Sequence, residues 1–431
     1  MISGQFSKID YPSFGETLFH KKYSNGFSAY FIKKKGFTKM FATIGTRYGS
    51  IDNCFSTSEE TTPICVPDGI AHFLEHKLFE QKDSNVLQKF AALGANPNAY
   101  TSFDRTAYHF TCTENFYESF DILLEYVRNP YFTDDNVEKE KGIIAQEIDM
   151  YLDNPDWMGY FCFLRNLYQN HPIRLEIAGS KESIAKIDKE LLYKCHNTFY
   201  NPSNMILVVA GDLEEDLVFS QIAKTIGSEE SAPLKINRII EKDSEVPFLK
   251  ISKHKFDVGM PRFLAGYKES AGVVFGMDRA KREIGIKLLY SMILGRSSDL
   301  YEELYEEGLI NGTISSEYML EDDFSFSCIS GDSIDAEKVV GKILQKIAML
   351  KKNGLDNEVF QRVLKARKGR NLRSLDSVES FGGSFFKLIF NDCNLFEYFE
   401  LYDKITIEYL EELLNNHFDE SKFTLTKIEP L

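Results

Sequence analysis

The chain repeats its own plan, and a duplicated plan restricts a sequence of 431 residues to two related domains built one after the other. Leu87-Gln-Lys-Phe-Ala-Ala-Leu-Gly94 is echoed by Leu300-Tyr-Glu-Glu-Leu-Tyr-Glu-Glu-Gly308, and Tyr108-His-Phe-Thr-Cys112 by Phe324-Ser-Phe-Ser-Cys328. Asp135-Asn136-Val137 opens one long helical stretch, and Asp356-Asn-Glu-Val359 opens its counterpart. Each half closes on a helix and then a strand: Ser180 to Phe199 with Met205 to Ala210, and Ile405 to Phe418 with Phe423 to Ile428. Between these lie a strand-rich opening (Gly26 to Gly49), an alternating strand (Thr106 to Thr113), a helix (Phe116 to Arg128), an aromatic-rich stretch (Trp157 to Tyr168) and a helix over Arg279 to Leu294. Strands mixed with segregated helices predict α+β units, each a mainly antiparallel sheet flanked by helices. Polar, proline-containing sequence at Glu229 to Pro233 and Glu241 to Glu245 places a linker over 229–247, between domains 1–228 and 248–431.

Chemistry concentrates in His72-Phe-Leu-Glu75-His76. On a helix turning about 100° per residue, His72, Glu75 and His76 share a narrow arc, while Phe73, Leu74, Leu78 and Phe79 form an apolar side for a core. A buried, hydrogen-bonded His pair is the plain alternative. Two imidazoles that can hold one metal ion, beside a carboxylate able to take a proton from water at that ion, make the inverted zinc-protease helix. Asp68-Gly69 after Pro67 is its start signal. Zinc wants three protein ligands and an open fourth position, so a His, Asp, Glu or Cys must come from another element. Glu147 is the best candidate: Thr133 is the N-cap of its helix, Asp134 and Asp135 sit in the first turn, and Val137, Ile144, Ile148 and Tyr151 recur at helical spacing. Glu140, two turns before Glu147, projects on nearly the same side and can orient a ligand. The second half has no such set. No His occurs between His254 and His417, and when Val359 is set against Val137 the position of Glu147 falls on Gly369.

Composition excludes other classes. A net charge of −15 disfavours nucleic acid and anionic membranes, and no segment is apolar over the length of a membrane span. Met1 to Lys22 lacks an apolar signal core, which predicts a cytoplasmic protein. Seven Cys without a Cys-x-x-Cys pair read as buried reduced thiols. Dinucleotide, P-loop and serine-hydrolase signatures are missing. Arg362, Arg367, Lys368, Arg370 and Arg373 form a stripe that is either solvated or turned to acidic peptide or a partner.

The sequence resembles the pitrilysin/insulinase family of zinc metallopeptidases, which includes the mitochondrial processing peptidases and shorter bacterial relatives. The resemblance is carried by His72-Phe-Leu-Glu75-His76, by Glu147 lying 71 positions beyond His76, by Glu140, and by Gly94-Ala-Asn-Pro-Asn98-Ala99-Tyr100-Thr101-Ser102. It implies one Zn2+ per chain on His72, His76 and Glu147, with Glu75 as general base and Glu140 in support. It further implies an edge strand, Asn98, Ala99, Tyr100 and Thr101, that binds peptide, and two homologous halves closed as a clamshell around a cavity. The implied activity is a zinc endopeptidase that hydrolyses extended peptides without a covalent intermediate. In that family the metal-free half supplies an Arg and, seven positions later, a Tyr that grip substrate. Here Tyr305 stands at the Arg position, and Leu304 to Asn311 and the next residue supply no second Tyr. A homologous partner subunit carrying that pair, or a homodimer, is therefore expected, with Arg296 and Tyr318 as local substitutes. The alternative is a non-catalytic scaffold or assembly subunit, against which the retention of Glu75 beside a full ligand set argues.

Overall fold

The computed structural model describes residues 6–82, 84–312 and 314–431. They form two compact α+β units, as the duplication predicts. The first holds a seven-stranded sheet in the order Ser7–Tyr11, Glu16–Lys22, Ser28–Lys33, Met205–Gly211, Met40–Thr46, Thr106–Cys112, Asn96–Thr101. The second holds a five-stranded sheet in the order Ile251–Phe256, Phe423–Pro430, Arg262–Glu269, Ser325–Asp332, Ile314–Leu320. The last five strands of the first sheet and the five of the second follow one scheme. In both, the closing strand of the half enters the middle, parallel to the strand before it and antiparallel to the one after. Met205–Gly211 is buried throughout, as a strand covered on both faces must be.

The units are not the contiguous stretches 1–228 and 248–431. The first comprises Met1–Asp149, Leu175–Ile240 and Ser374–Phe390; the second takes Met150–Arg174, Glu241–Arg373 and Asn391–Leu431. Each repeat thus gives one helix to the other's sheet. Helix Val378–Phe390 packs on Met205–Gly211 and Met40–Thr46 of the first sheet. The approach is close enough that a Cβ on Gly45 would meet Phe386 at 2.5 Å, and one on Gly382 would meet Phe41 at 2.4 Å. Helix Pro155–Leu167 packs on Phe423–Pro430 and Arg262–Glu269 of the second. Asn166 Nδ2 donates there to Thr426 Oγ1 (2.8 Å), and Lys268 Nζ donates to the Leu167 carbonyl (2.8 Å). The expected linker divides likewise, since Ile236–Arg238 pairs with Cys54–Thr57 in the first unit while residues from Glu241 belong to the second.

Two further expectations change. The helix over Ser180 to Phe199 is two helices, Lys181–Ile184 and Lys189–Phe199, because Ile187 is buried and Asp188 caps the second by accepting from Leu191 N at 2.8 Å. The cysteines are not all thiols: Cys54 and Cys65 face each other across paired strands and form a disulfide, while Cys112, Cys162, Cys195, Cys328 and Cys393 are free and buried. No helix among the described residues is long and apolar enough to cross a membrane.

The second unit is pinned by a buried polar network. Glu269 accepts from Tyr318 OH (2.6 Å), Ser325 Oγ (3.2 Å) and Arg282 Nε (2.7 Å). His417 Nδ1 lies 3.3 Å from the same carboxylate, and its Nε2 meets Ser327 Oγ at 2.8 Å. Burial alone would raise the pKa of Glu269, but His417, Arg282 and Tyr318 outweigh it and hold the acid at about 2. A lowered carboxylate pKa stabilises the fold above the unfolded value near 4 and loses that contribution as pH falls toward 2. Glu269→Gln is expected to cost about 3 kcal/mol at neutral pH, with the deficit shrinking as the acid limb is approached. Urea unfolding of both proteins across that range checks it; a deficit independent of pH overturns the assignment.

Candidate metal centre

The helix Ile70–Leu78 begins where the sequence places it. Gly69 has φ 89°, open to glycine at little cost, and a Cβ there would meet the Ala178 carbonyl oxygen at 2.3 Å. Phe73, Leu74 and Leu78 are fully buried and fix the helix's rotation, so His72, Glu75 and His76 share the other arc. The second contributor, Asp134–Leu152, is capped by a reciprocal pair: Asn136 N donates to Thr133 Oγ1 (3.2 Å) and Thr133 N donates to Asn136 Oδ1 (2.9 Å). Val137, Ile144 and Ile148 are buried, which turns Glu140 and Glu147 toward the His helix.

His72, His76 and Glu147 offer one ligand atom each within 4.8 Å of one another, and no other His/Cys/Asp/Glu group among the described residues does so. His72 Nε2 lies 3.7 Å from Glu147 Oε1, and His76 Nε2 lies 3.4 Å from Glu147 Oε2. Ligands about 2.0–2.1 Å from a tetrahedral zinc stand roughly 3.4 Å apart, so this donor set fits that ion with little adjustment. His76 Nδ1 donates to Glu140 Oε1 at 3.1 Å, which leaves its Nε2 as the lone-pair atom facing Glu147. His72 Nδ1 is buried without a hydrogen-bond partner.

Electrostatics agree with the geometry. Burial lowers the pKa of His72, and the neighbouring His76 adds to that, so the ring stays neutral as a ligand must. Burial works against charge on His76 too, yet its hydrogen bond to Glu140 and the charges of Glu75 and Glu147 raise its pKa. Three carboxylates drawing positive charge to one spot make a place for a cation.

Glu75 is buried and is not among the three converging donors; its Oε2 accepts from Thr101 Oγ1 at 2.8 Å. Burial raises its pKa, with the Thr101 bond opposing. Thr101 ends the edge strand Asn96–Thr101, which pairs with Thr106–Cys112 on one side and, among the described residues, has no strand on the other. Of the residues named for peptide contact, Asn98 and Tyr100 are exposed, the latter at 41%, while Ala99 is half-buried and Thr101 turns its hydroxyl to Glu75. Sequence reading missed Lys77. Fully buried, it donates to Glu80 and to the Asn136 carbonyl (3.2 Å) and lies 3.8 Å from Glu140 Oε2, bracing the acid that orients His76. An i+1 lysine after the motif carried no signal beyond helix-end charge. Tyr318 is no free substitute for the missing substrate-gripping tyrosine, since its buried hydroxyl is given to Glu269.

Residues 67–181 match the insulinase family, peptidase family M16, and residues 186–367 match the peptidase M16 inactive domain. YmfH of Bacillus subtilis, described as an uncharacterized zinc protease, is 40% identical over 98% of this chain and 99% of its own length. The chain belongs to the insulinase family, M16. In this M16 protein the converging His72, His76 and Glu147 all lie within the first match and none within the second. Its fold superposes on an M16-like peptidase from Alicyclobacillus acidocaldarius with a TM-score of 0.92 and 32% identity, covering 100% of both chains. A protease from Helicobacter pylori shares the fold at TM-score 0.82 and 21% identity over 99% of both chains. The periplasmic protease PqqL from Escherichia coli matches at TM-score 0.75 and 17% identity, over 96% of this chain but 47% of its own.

Proposed function

We propose that this M16 protein is a zinc endopeptidase acting on extended peptides. The observation that carries the reading is the convergence of His72 Nε2, His76 Nε2 and the Glu147 carboxylate at tetrahedral spacing, with Glu75 beside them and outside the donor set. A zinc ion held there supplies Lewis acidity, polarising a carbonyl and acidifying water. Glu75 takes the proton of the attacking water and returns it to the leaving amine, and Thr101 holds its carboxylate in position. Glu140 fixes the tautomer of His76. Extended peptide adds to the open edge of Asn96–Thr101, where main-chain hydrogen bonds give affinity with little sequence preference.

Tyr305 is 58% exposed where the family's Arg is expected, so a homologous partner subunit that carries that Arg completes the site, a homodimer being the other assembly. That PqqL is about twice the length of this fold supports a pairing of such units. Metal analysis and hydrolysis of an unstructured peptide pool, with and without chelator, test the reading. One zinc per chain and zinc-dependent cleavage, alone or after adding a copurified relative, are expected. Zinc without cleavage in either setting supports the scaffold alternative, and a protein that takes up no zinc overturns the proposal. Glu140→Gln should weaken zinc binding about 10- to 100-fold in competition with a chromophoric chelator. An unchanged affinity removes Glu140 from the site.

The cytoplasmic setting expected from the N-terminal sequence stands against the Cys54–Cys65 disulfide, a bond that persists in oxidising compartments. Alkylation and mass spectrometry of protein taken from its native host read which surroundings it meets.

A further inference from the structure

The strand that runs into the metal helix is tied down by a covalent bond. Cys65, upstream of His72 in the same stretch of chain, is joined to Cys54 across a pairing made only of Cys54 with Cys65 and Phe55 with Ile64. Cys54–Thr57 is anchored independently, since it also pairs with Ile236–Arg238 and carries the fully buried Phe55. Ile64–Cys65 has no second strand beside it among the described residues. So short a pairing is marginal by itself, and the disulfide is what ties the loose strand to the anchored one.

The tie reaches the site through the next few residues. Val66 N donates to the Asn53 carbonyl (2.8 Å), and Asn53 Nδ2 donates to Asp68 Oδ1 (2.9 Å). The neighbours of both cysteines thus brace the turn from which Ile70–Leu78 starts, with Ser183 Oγ adding a bond to the Asp68 carbonyl (2.8 Å). That helix depends on such bracing. It has nine residues, fewer than the roughly 12–15 an isolated helix needs, and among the described residues no side chain caps its start.

The bond is also open to exchange. Cys65 is exposed and Cys54 half-buried, whereas the free thiols of Cys112, Cys162, Cys195, Cys328 and Cys393 are buried. Exposed disulfides are the labile ones. When a thiolate of a dithiol reductant attacks the Cys65 sulfur, Cys54 leaves with the S–S electron pair and takes up a proton. The second sulfur of the reductant then closes on the first and releases Cys65 as a thiol, so that one disulfide and two thiols change places.

We propose that Cys54–Cys65 is a thiol–disulfide switch that governs the start of Ile70–Leu78. Oxidised, it holds the turn that presents His72; reduced by a cellular dithiol, it lets that turn loosen, and the metal centre binds zinc more weakly. The consequence for zinc rests on the peptidase reading, but the control of the helix is measured without metal.

The full chain is stripped of metal by chelator, then prepared oxidised with glutathione disulfide and reduced with a phosphine, which brings no thiol to compete for zinc. Hydrogen exchange read by mass spectrometry is expected to be several-fold faster over Ile70–Leu78 in the reduced form and alike in both forms over Met205–Gly211. Competition with a chromophoric chelator should show zinc held about 10-fold more weakly by the reduced form, the low end for loss of support around a ligand. Reoxidation should restore both properties. The double variant Cys54→Ser, Cys65→Ser should match the reduced parent under either treatment. Equal exchange in the two forms, equal zinc affinity, a redox effect that survives in the double variant, or cysteines that stay open to alkylation under full oxidation each overturns the proposal. Redox-dependent exchange in a chain that takes up no zinc in either form upholds the switch and overturns the peptidase reading instead.

Discussion

Glu75→Gln is expected to keep its zinc and its fold while peptide hydrolysis falls by about three orders of magnitude, within the usual range for removing a general base. The exchange is nearly isosteric at a buried position, and the Gln oxygen can still accept from the Thr101 hydroxyl, so nothing structural is withdrawn. Glu75 contributes no atom to the converging donor set, which leaves metal affinity to His72, His76 and Glu147. What disappears is the capacity to accept a proton. Burial raises the carboxyl's pKa from its ordinary value, with the Thr101 hydrogen bond opposing. Zinc content and kcat/KM measured on one preparation decide it. Activity within a few-fold of the parent would require another base and would sink the mechanism.

Glu147→Ala should act one step earlier, by emptying the site. Two imidazoles with ring centroids 4.6 Å apart would remain, and two protein ligands do not make a zinc-peptidase centre. Dialysed variant is expected to hold no stoichiometric zinc and to show no hydrolysis. A binding equilibrium tied to folding adds an independent measure, since zinc at a thousand times its Kd stabilises the native state by about 4 kcal/mol. The parent should therefore melt higher in zinc than in chelator, and the variant should melt alike in both. Full zinc occupancy in Glu147→Ala, or a zinc-dependent melting shift equal to the parent's, contradicts the assignment of Glu147 as a ligand.

The site was legible because its first contributor is local. Spacings of three and four residues on one helix put His72, Glu75 and His76 on one arc whatever the tertiary fold does, and burial of Phe73, Leu74 and Leu78 then decides which way that arc faces. Glu147 and Glu140 could be placed because the buried positions of their own helix leave them one side to occupy. The duplicated sheet scheme was foreshadowed by the echo of Tyr108 to Cys112 in Phe324 to Cys328, strands that hold equivalent places. Lys77 escaped notice because a buried lysine is defined by the Glu80, Asn136 and Glu140 groups around it, and those come from a distant helix and the turn beyond. The Cys54–Cys65 bond depends on a short strand pairing with no strong pattern of its own. Trp157 to Tyr168 reads only as an aromatic-rich stretch and 378–390 receives no assignment; even as helices, Pro155–Leu167 and Val378–Phe390 would not say which sheet their apolar stripes cover.

That exchange of helices constrains inheritance. A gene cut at the linker would yield one fragment whose sheet lacks the cover of Phe381, Phe385 and Phe386, and another missing Phe161, Phe163 and Leu164. Each fragment would also trail a greasy helix with nowhere to dock, inviting aggregation. Neither stretch can then be removed without uncovering a sheet of the other, so the second half is bound to the first by packing even though its described residues bring no three metal-ligating groups together.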